Sequence, residues 1–330
     1  MNIAINGFGR IGRAAFKIAL QKGYNIVAIN DLTDSKTLAM LLKYDSVYGK
    51  YEYDVKAEND GIIVDEKKYV VFAEKEPNKL PWSDLNVDVL LECTGKFTNA
   101  LDCQGHIDAG AKKVVISAPA KDDTTSTYVI GVNEKEYKNE KIVSNASCTT
   151  NCIAPVAKII EDKFGVAKAM MSTVHAYTAD QNLVDGPHKD LRRARAAAIN
   201  IVPTTTGAAI AATKTVPELK DKFDGLAIRV PVVVGSLADF TFLIKKNTDK
   251  EEVNKIIQET IKSDEILSKI ILPSYEPIVS TDVIGTNYST IIDLSLTQVV
   301  DGDMIKIIAW YDNEWGYTNR LVEMAAYINK

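Results

Sequence analysis

Histidine is scarce in this sequence: three residues, His106, His175 and His188, among 330. Chemistry that needs an imidazole base therefore has only three candidates. Cysteine is sparse as well. The four cysteines, Cys93, Cys103, Cys148 and Cys152, do not make a disulfide framework in a chain this long. Cys148 and Cys152 have C-x-x-x-C spacing, but the second ligand pair that a zinc site wants is missing, so no metal is expected. No apolar run approaches the ~20 residues that span a bilayer, so no membrane partner is expected. The opening MNIAINGFGR goes straight into a strand pattern. It lacks the basic start, apolar stretch and small-residue cleavage site of a signal peptide, which leads to the expectation of a cytoplasmic protein. Basic charge is not in surplus either. The net charge of -5 leaves no global field for nucleic acid as a primary partner or for an acidic membrane. Any anion site must be built locally. Internal repeats, Gly/Ser linkers and low-complexity tracts are absent.

What is present is an ordinary globular composition, 46% hydrophobic and 25% charged, in a chain long enough for two domains. Residues 2–6 (NIAIN) form a short apolar run, followed by glycines, a helical pattern through Phe16, Ile18, Ala19 and Leu20, and a second apolar run at 25–30. Strand, Gly-rich turn, helix and strand make a βαβ unit. Strand-like runs recur at 69–72, 87–91, 114–117, 127–130 and 141–144, with helical stretches at 35–43 and 98–110. The alternation predicts an α/β fold, a Rossmann-type doubly wound parallel sheet, up to residue 147. From Cys148 a helix pattern runs to about Phe164, and then the rhythm changes. Runs at 168–174, 225–233, 237–244, 290–296 and 304–311 often alternate apolar with polar. They predict an α+β domain with a mostly antiparallel sheet and helices at 208–216 and 249–263 packed on one face. The expected division is a dinucleotide-binding domain over 1–147, onto which a C-terminal helix at 315–330 packs back, and a catalytic domain over 148–314.

Gly7-Phe8-Gly9-Arg10-Ile11-Gly12 matches G-x-G-x-x-G. That spacing is weak alone, but here it follows a strand and opens a helix, which is the context it needs. The first glycine makes a tight turn, the second lets backbone approach a pyrophosphate, and the third lets helix and strand pack closely. The unpaired N–H groups of the helix N-terminus then face the phosphates. Asp31 stands about 20 residues on, where an acid hydrogen-bonds ribose hydroxyls and repels a 2′-phosphate, favouring NAD over NADP. A glycine turn followed by a solvated loop acid is the bland alternative.

In Ser144-Asn145-Ala146-Ser147-Cys148-Thr149-Thr150-Asn151-Cys152, Ser147 is a candidate N-cap and Cys148 the first helical residue. A helix N-terminus lowers a thiol pKa and favours the nucleophilic thiolate. The competing reading is a small residue buried behind a helix start, and it suits Cys152 better. By elimination His175, at the end of a strand pattern, is the best base. His188 lies in a Gly-Pro-His turn and His106 on a helix of the first domain. Asp190-Leu191-Arg192-Arg193-Ala194-Arg195 is a basic cluster in an acidic protein, readable as an anion site, a solvated loop or a subunit contact. The turn Pro203-Thr204-Thr205-Thr206-Gly207 precedes a helix, and its hydroxyls and N–H groups suit phosphate. Arg229 is a charge inside an apolar strand, where it requires an anion from protein or ligand.

These residues together closely resemble the phosphorylating glyceraldehyde-3-phosphate dehydrogenases, above all the bacterial form. The resemblance covers essentially the whole chain. It is carried by INGFGRIGR at 5–13, ND at 30–31, CTG at 93–95, SAPAKD at 117–122, SNASCTTNC at 144–152, TVHAYT at 173–178, DLRRARAAA at 190–198, PTTTGAA at 203–209, RVP at 229–231 and WYDNEWGY at 310–317. It implies a glycolytic NAD-dependent oxidoreductase that converts glyceraldehyde 3-phosphate and inorganic phosphate to 1,3-bisphosphoglycerate. The path runs through a thiohemiacetal and a thioester on Cys148, with His175 as base. Arg10 and Ile11 would lie under the pyrophosphate, Lys75 and Ser117 on the adenine and ribose side, and Asn313 at the nicotinamide carboxamide. Thr178 and Arg229 match the site for the substrate's phosphate. Ser147, Thr149, Thr206 and Gly207 match that for inorganic phosphate, and Arg193 lies near both. Leu32 and Pro187 stand where NADP-using relatives carry small polar residues. Members are homotetramers, and residues 177–200 resemble the loop that meets a neighbouring subunit. Ala120 and Ile210 depart from the common serine and lysine at those positions. Erythrose-4-phosphate oxidation and a non-catalytic binding role of the same fold are the alternatives left by the motifs.

Overall fold

Short β-branched runs separated by glycine turns build the first half of the chain. The computed structural model describes residues 1–330. In order come β1 (Asn2–Asn6), α1 (Arg10–Gln21), β2 (Asn25–Asn30), α2 (Ser35–Lys43) and a two-strand ribbon of β3 (Tyr44–Asp45) and β4 (Gly49–Lys50). Then follow β5 (Val55–Glu58), β6 (Gly61–Val64), β7 (Lys67–Phe72), β8 (Val89–Glu92), α3 (Ala100–Asp108), β9 (Lys113–Ile116) and β10 (Ile142–Ser144). The sheet order is β10-β9-β8-β1-β2-β7-β6-β5. From β10 to β7 all pairs are parallel; β6 and β5 add an antiparallel edge. The parallel strands are buried on both faces, which is why Val89, Leu90 and Leu91 run without a polar break. Strand order reverses beside β1, whose partners are β2 and β8. In open α/β sheets ligands bind at the carboxyl ends of strands flanking such a switch.

Two sequence expectations change here. Residues 127–130 are not a strand: only Thr127 bridges Ser144. The Asn133 side chain accepts from Val129 N at 2.9 Å, and Val132 N closes a turn on the Val129 carbonyl, so the backbone turns after Tyr128. The hairpin β5–β6 was not anticipated, because an edge strand such as Val55–Glu58 buries only its first residue.

The second half contains α4 (Cys148–Phe164), β11 (Val166–Ala176), β12 (Val202–Thr205), α5 (Ala208–Thr215), β13 (Phe223–Val230), β14 (Ser236–Ile244) and α6 (Lys250–Ser263). It continues with α7 (Leu267–Ile270), β15 (Ile271–Ser274), β16 (Thr290–Val300), β17 (Met304–Tyr311) and α8 (Trp315–Ile328). The seven strands run in the order β12-β13-β11-β14-β17-β16-β15. Only β11–β13 and β15–β16 are parallel. Along β14 every second residue is buried, Ser236, Ala238, Phe240, Phe242 and Ile244, as a sheet covered on one face requires. Register brings three pairs of residues to one end of this sheet. His175 pairs with Arg229, Ser236 with Tyr311, and Thr173 with Ala238.

Contacts divide the chain into two compact units. One comprises 1–128, 134–146 and 318–330; the other comprises 129–133 and 147–317. Within the first, the end of α8 is tied down by Lys22 Nζ to Glu323 at 3.0 Å and by the Tyr327 ring against Tyr137.

Candidate active site

In the first unit a crevice of about 600 Å³ opens at the carboxyl ends of β1, β2 and β8. Gly7, Gly9, Asp31 and Lys75 line it, with Asn6, Leu32, Thr94 and Phe97. Gly7 has φ +90°, and a Cβ there would stand 2.7 Å from Thr94 N. At Gly12 a Cβ would stand 2.0 Å from the Gly7 carbonyl, so α1 can lie this close to β1 only with glycine. At Gly9 an added Cβ meets nothing within 4 Å. The space beside Gly9 is therefore open to a ligand, at the N-terminus of a helix with no side-chain cap. Asp31 Oδ2 accepts from Phe8 N at 2.7 Å and Oδ1 from Thr33 N at 2.9 Å. A carboxylate has about four acceptor positions, so two remain for hydroxyls. A bare glycine face, open helix N–H groups and an anchored acid fit a dinucleotide.

The other sequence-nominated residues lie at different depths. Arg10 and Ile11 begin α1, and the Arg10 guanidinium turns to Asp45 at 2.7 Å. Gly12 lies beneath the crevice rather than in its wall. Ser117 follows β9, its N–H bonded to the Glu92 carbonyl.

A polar network missed by the sequence reading supports the crevice from below. Glu92, at the end of β8, is fully buried and accepts from Asn6 Nδ2 at 2.5 Å, Thr94 N at 2.8 Å and Thr94 Oγ1 at 2.5 Å. Trp82 Nε1 donates to His106 Nδ1 at 3.0 Å. The His106 proton therefore sits on Nε2, 3.3 Å from Glu92 Oε2. His106 is thus a buried structural residue of the first unit.

In the second unit the Ser147 side chain accepts from Thr150 N at 3.0 Å, capping α4 and making Cys148 its first residue. Cys148 Sγ lies 3.5 Å from His175 Nε2. On the far side of the ring, Nδ1 is 2.7 Å from the Ala176 carbonyl and 2.5 Å from Arg229 Nη1, which itself donates to that carbonyl at 3.0 Å. Nδ1–H donating to Ala176 leaves the Nε2 lone pair facing sulfur, the tautomer a base needs. The Tyr311 ring meets His175 edge to face, and its buried hydroxyl bridges Thr149 Oγ1 at 2.9 Å and Thr173 Oγ1 at 2.8 Å. The Thr149 hydroxyl thereby braces Tyr311 at the start of α4.

The thiol departs from expectation. Burial pushes the Cys148 pKa up, against the opposing pull of the Arg229 charge and of hydrogen bonds at the helix start. The helix terminus does act in the expected direction, but desolvation is larger. Burial and the Arg229 charge push His175 down to about 3. The resting pair is therefore thiol and neutral imidazole. Cys152, one turn further, is buried, pushed up to about 12 by desolvation, and donates to Thr290 Oγ1 at 3.4 Å.

Cationic, hydroxyl and amide groups of the same unit include the residues nominated for phosphate and for nicotinamide. Arg229 Nη1 reaches His175 Nδ1 and the Ala176 carbonyl, and its Nε is buried without a partner. Arg193 is held by Thr204 Oγ1 on Nε at 3.0 Å and the Thr205 carbonyl on Nη2 at 3.1 Å, while Nη1 meets Asp180. The Thr178 hydroxyl also donates to Asp180. Thr206 Oγ1 accepts from Ala208 N at 3.2 Å, and at Gly207, the N-cap of α5, a Cβ would meet nothing. Thr150 Oγ1 donates to the Ala208 carbonyl at 3.4 Å, so the first turns of α4 and α5 lie side by side. Asn313 Oδ1 accepts from Gly235 N at 3.1 Å and Ser236 Oγ at 3.0 Å, which fixes the amide with Nδ2 left to donate.

Comparison with known proteins agrees with these motifs. The glyceraldehyde 3-phosphate dehydrogenase NAD binding domain matches residues 1–100, and the C-terminal domain of the same family matches 147–313. The glyceraldehyde-3-phosphate dehydrogenase of Mycolicibacterium smegmatis is 51% identical over 341 residues, covering 100% of this chain and 99% of the relative. That of Borreliella burgdorferi is 50% identical over 337 residues, covering 100% of both. That of Geobacillus stearothermophilus is 49% identical over 331 residues, covering 99% and 98%. Both domain models matched in order, and relatives this similar from end to end, mean that the chain belongs to the glyceraldehyde-3-phosphate dehydrogenase family of NAD-dependent glycolytic oxidoreductases.

Proposed function

We propose that this protein oxidises glyceraldehyde 3-phosphate with NAD and inorganic phosphate to 1,3-bisphosphoglycerate, using Cys148 as nucleophile and His175 as base. The observation that carries the reading is the 3.5 Å approach of Cys148 Sγ to His175 Nε2 at the start of α4. Gly7, Gly9, Arg10, Ile11, Gly12, Asp31, Lys75, Ser117 and Asn313 would hold the cofactor, which supplies the hydride acceptor when bound. Cys148 Sγ attacks the aldehyde carbon as its proton moves to His175 Nε2. The backbone N–H of Cys148, free at the helix start, stabilises the developing oxyanion. His175 returns the thiol proton to the oxyanion and takes it back from the resulting hydroxyl as the adduct is oxidised to a thioester. Inorganic phosphate attacks that thioester and expels the thiolate.

The ion arrangement gives the base its timing. Arg229 stands against His175 and opposes its protonation. A substrate phosphate on Thr178 and Arg229 offsets that charge, so the imidazole becomes a better base when substrate is bound. The paired first turns of α4 and α5, with Ser147, Thr149, Thr206 and Gly207, form the second anion site, for inorganic phosphate, and Arg193 serves both sites. Formation of NADH that depends on phosphate tests the reading.

The same reading makes the protein a cytoplasmic homotetramer. No helix is long and apolar enough to cross a membrane. Leu183, Val184, Leu191, Ile199 and Ile201 all lie at least 69% exposed along one loop, apolar side chains that suit a subunit contact.

A further inference from the structure

Both oxygens of the Asp180 carboxylate are taken by residues assigned above to phosphate: Oδ1 accepts from the Thr178 hydroxyl and Oδ2 from Arg193 Nη1. The rest of the Arg193 fork is fixed by Thr204 and Thr205, so the edge that meets Asp180 is the edge free for an anion. The pair is accessible, with the Asp180 side chain 42% and the Arg193 side chain 20% exposed. Partial burial would raise the Asp180 pKa, but the Thr178 hydrogen bond and the Arg229 and Arg193 charges outweigh it and hold the carboxyl below the usual range. Asp180 is thus an anion at neutral pH, hydrogen-bonded by two groups that suit a phosphate and held by the charge of a third, Arg229.

We propose that Asp180 is an internal stand-in for the substrate's phosphate, occupying the Thr178–Arg193 anion site until a phosphoryl dianion displaces it. The inference rests on the reading of Thr178, Arg193 and Arg229 as phosphate contacts. A monoanion brings Arg193 no more charge than Asp180 already does, whereas a dianion does. The exchange therefore selects phosphoryl groups over carboxylates and keeps the cluster compensated between turnovers. If Asp180 were instead a clamp that orients Arg193, its loss would act with the opposite sign.

The test is Asp180→Asn, which keeps shape and hydrogen-bonding capacity but removes the charge, with Asp180→Glu as the conservative control. Inhibition by sulfate is measured against glyceraldehyde 3-phosphate in the first turnover, without inorganic phosphate. The KM for the phosphorylated aldehyde and the sulfate inhibition constant should each fall roughly fivefold in Asp180→Asn, the scale of one exposed ion pair. The KM for unphosphorylated glyceraldehyde should hold, and Asp180→Glu should stay close to the parent. Constants that rise or stay unchanged in Asp180→Asn overturn the proposal. Arg193→Leu separates the two layers. If it leaves the preference for phosphorylated over unphosphorylated aldehyde intact, the phosphate reading itself fails. If it abolishes that preference while Asp180→Asn has no effect, only the stand-in role fails.

Discussion

His175 sits between a thiol and a guanidinium, and both its chemistry and its cost to stability follow from that position. Above about pH 6.5 the imidazole is uncharged whether the chain is folded or unfolded. As pH falls below that, the unfolded chain binds a proton that the folded chain refuses until about pH 3. The stability present above pH 6.5 is therefore lost through this window, at up to ~1.4 kcal/mol per pH unit. In His175→Asn the urea midpoint between pH 7 and pH 4.5 should fall less steeply than in the parent, and kcat should drop about 10²–10⁴-fold. An unchanged acid slope would mean that His175 is not held neutral by its surroundings. The pairing of Cys148 with His175 was readable from sequence because three histidines left few choices. Asp180 was not, since an acid two residues after Thr178 looks like any loop acid until Arg193 is folded against it. The direction of the thiol shift also escaped: a helix start is visible in sequence, but the desolvation that outweighs it arises only in packing.

At the scale of elements, the strand–glycine–helix start of the chain separates two glycine roles. Gly12 has no room for a methyl group, and Gly9 has room that a ligand would use. Gly12→Ala should cost about 2 kcal/mol or more by overpacking, seen as a lower urea midpoint. Gly9→Ala should leave the midpoint nearly unchanged while weakening NAD binding. A Gly12→Ala protein as stable as the parent would contradict the close helix–strand packing. Elements with strong periodicity were legible: β17 was expected at 304–311 and is Met304–Tyr311. The helix from Cys148 runs to Phe164 despite Pro155, its apolar positions outweighing one missing donor. Residues 127–130 misled because Tyr128, Val129 and Ile130 are buried while forming a turn. Apolar content reports burial, and burial alone does not make a strand. The Glu92–Asn6–His106 network was illegible for a related reason: its members come from β8, β1 and α3 and meet only in the folded unit.

At the scale of the whole molecule, the exposed apolar residues from Leu183 to Ile201 are those the proposed tetramer would cover. The protein should sediment at four chain masses, and Ile199→Asp should shift it to smaller species. A parent protein that sediments as a monomer would contradict the oligomer. The change from a mostly parallel to a mostly antiparallel sheet was visible as a change of rhythm after residue 147. The central claim is that Cys148 carries the acyl group between oxidation and transfer to phosphate. The most direct measurement mixes protein, NAD and glyceraldehyde 3-phosphate without inorganic phosphate, follows NADH, and then adds phosphate. A burst of one NADH per chain with an acyl adduct on Cys148 is expected, followed by sustained turnover when phosphate arrives. Sustained turnover without phosphate, or a full burst in Cys148→Ala, would contradict it.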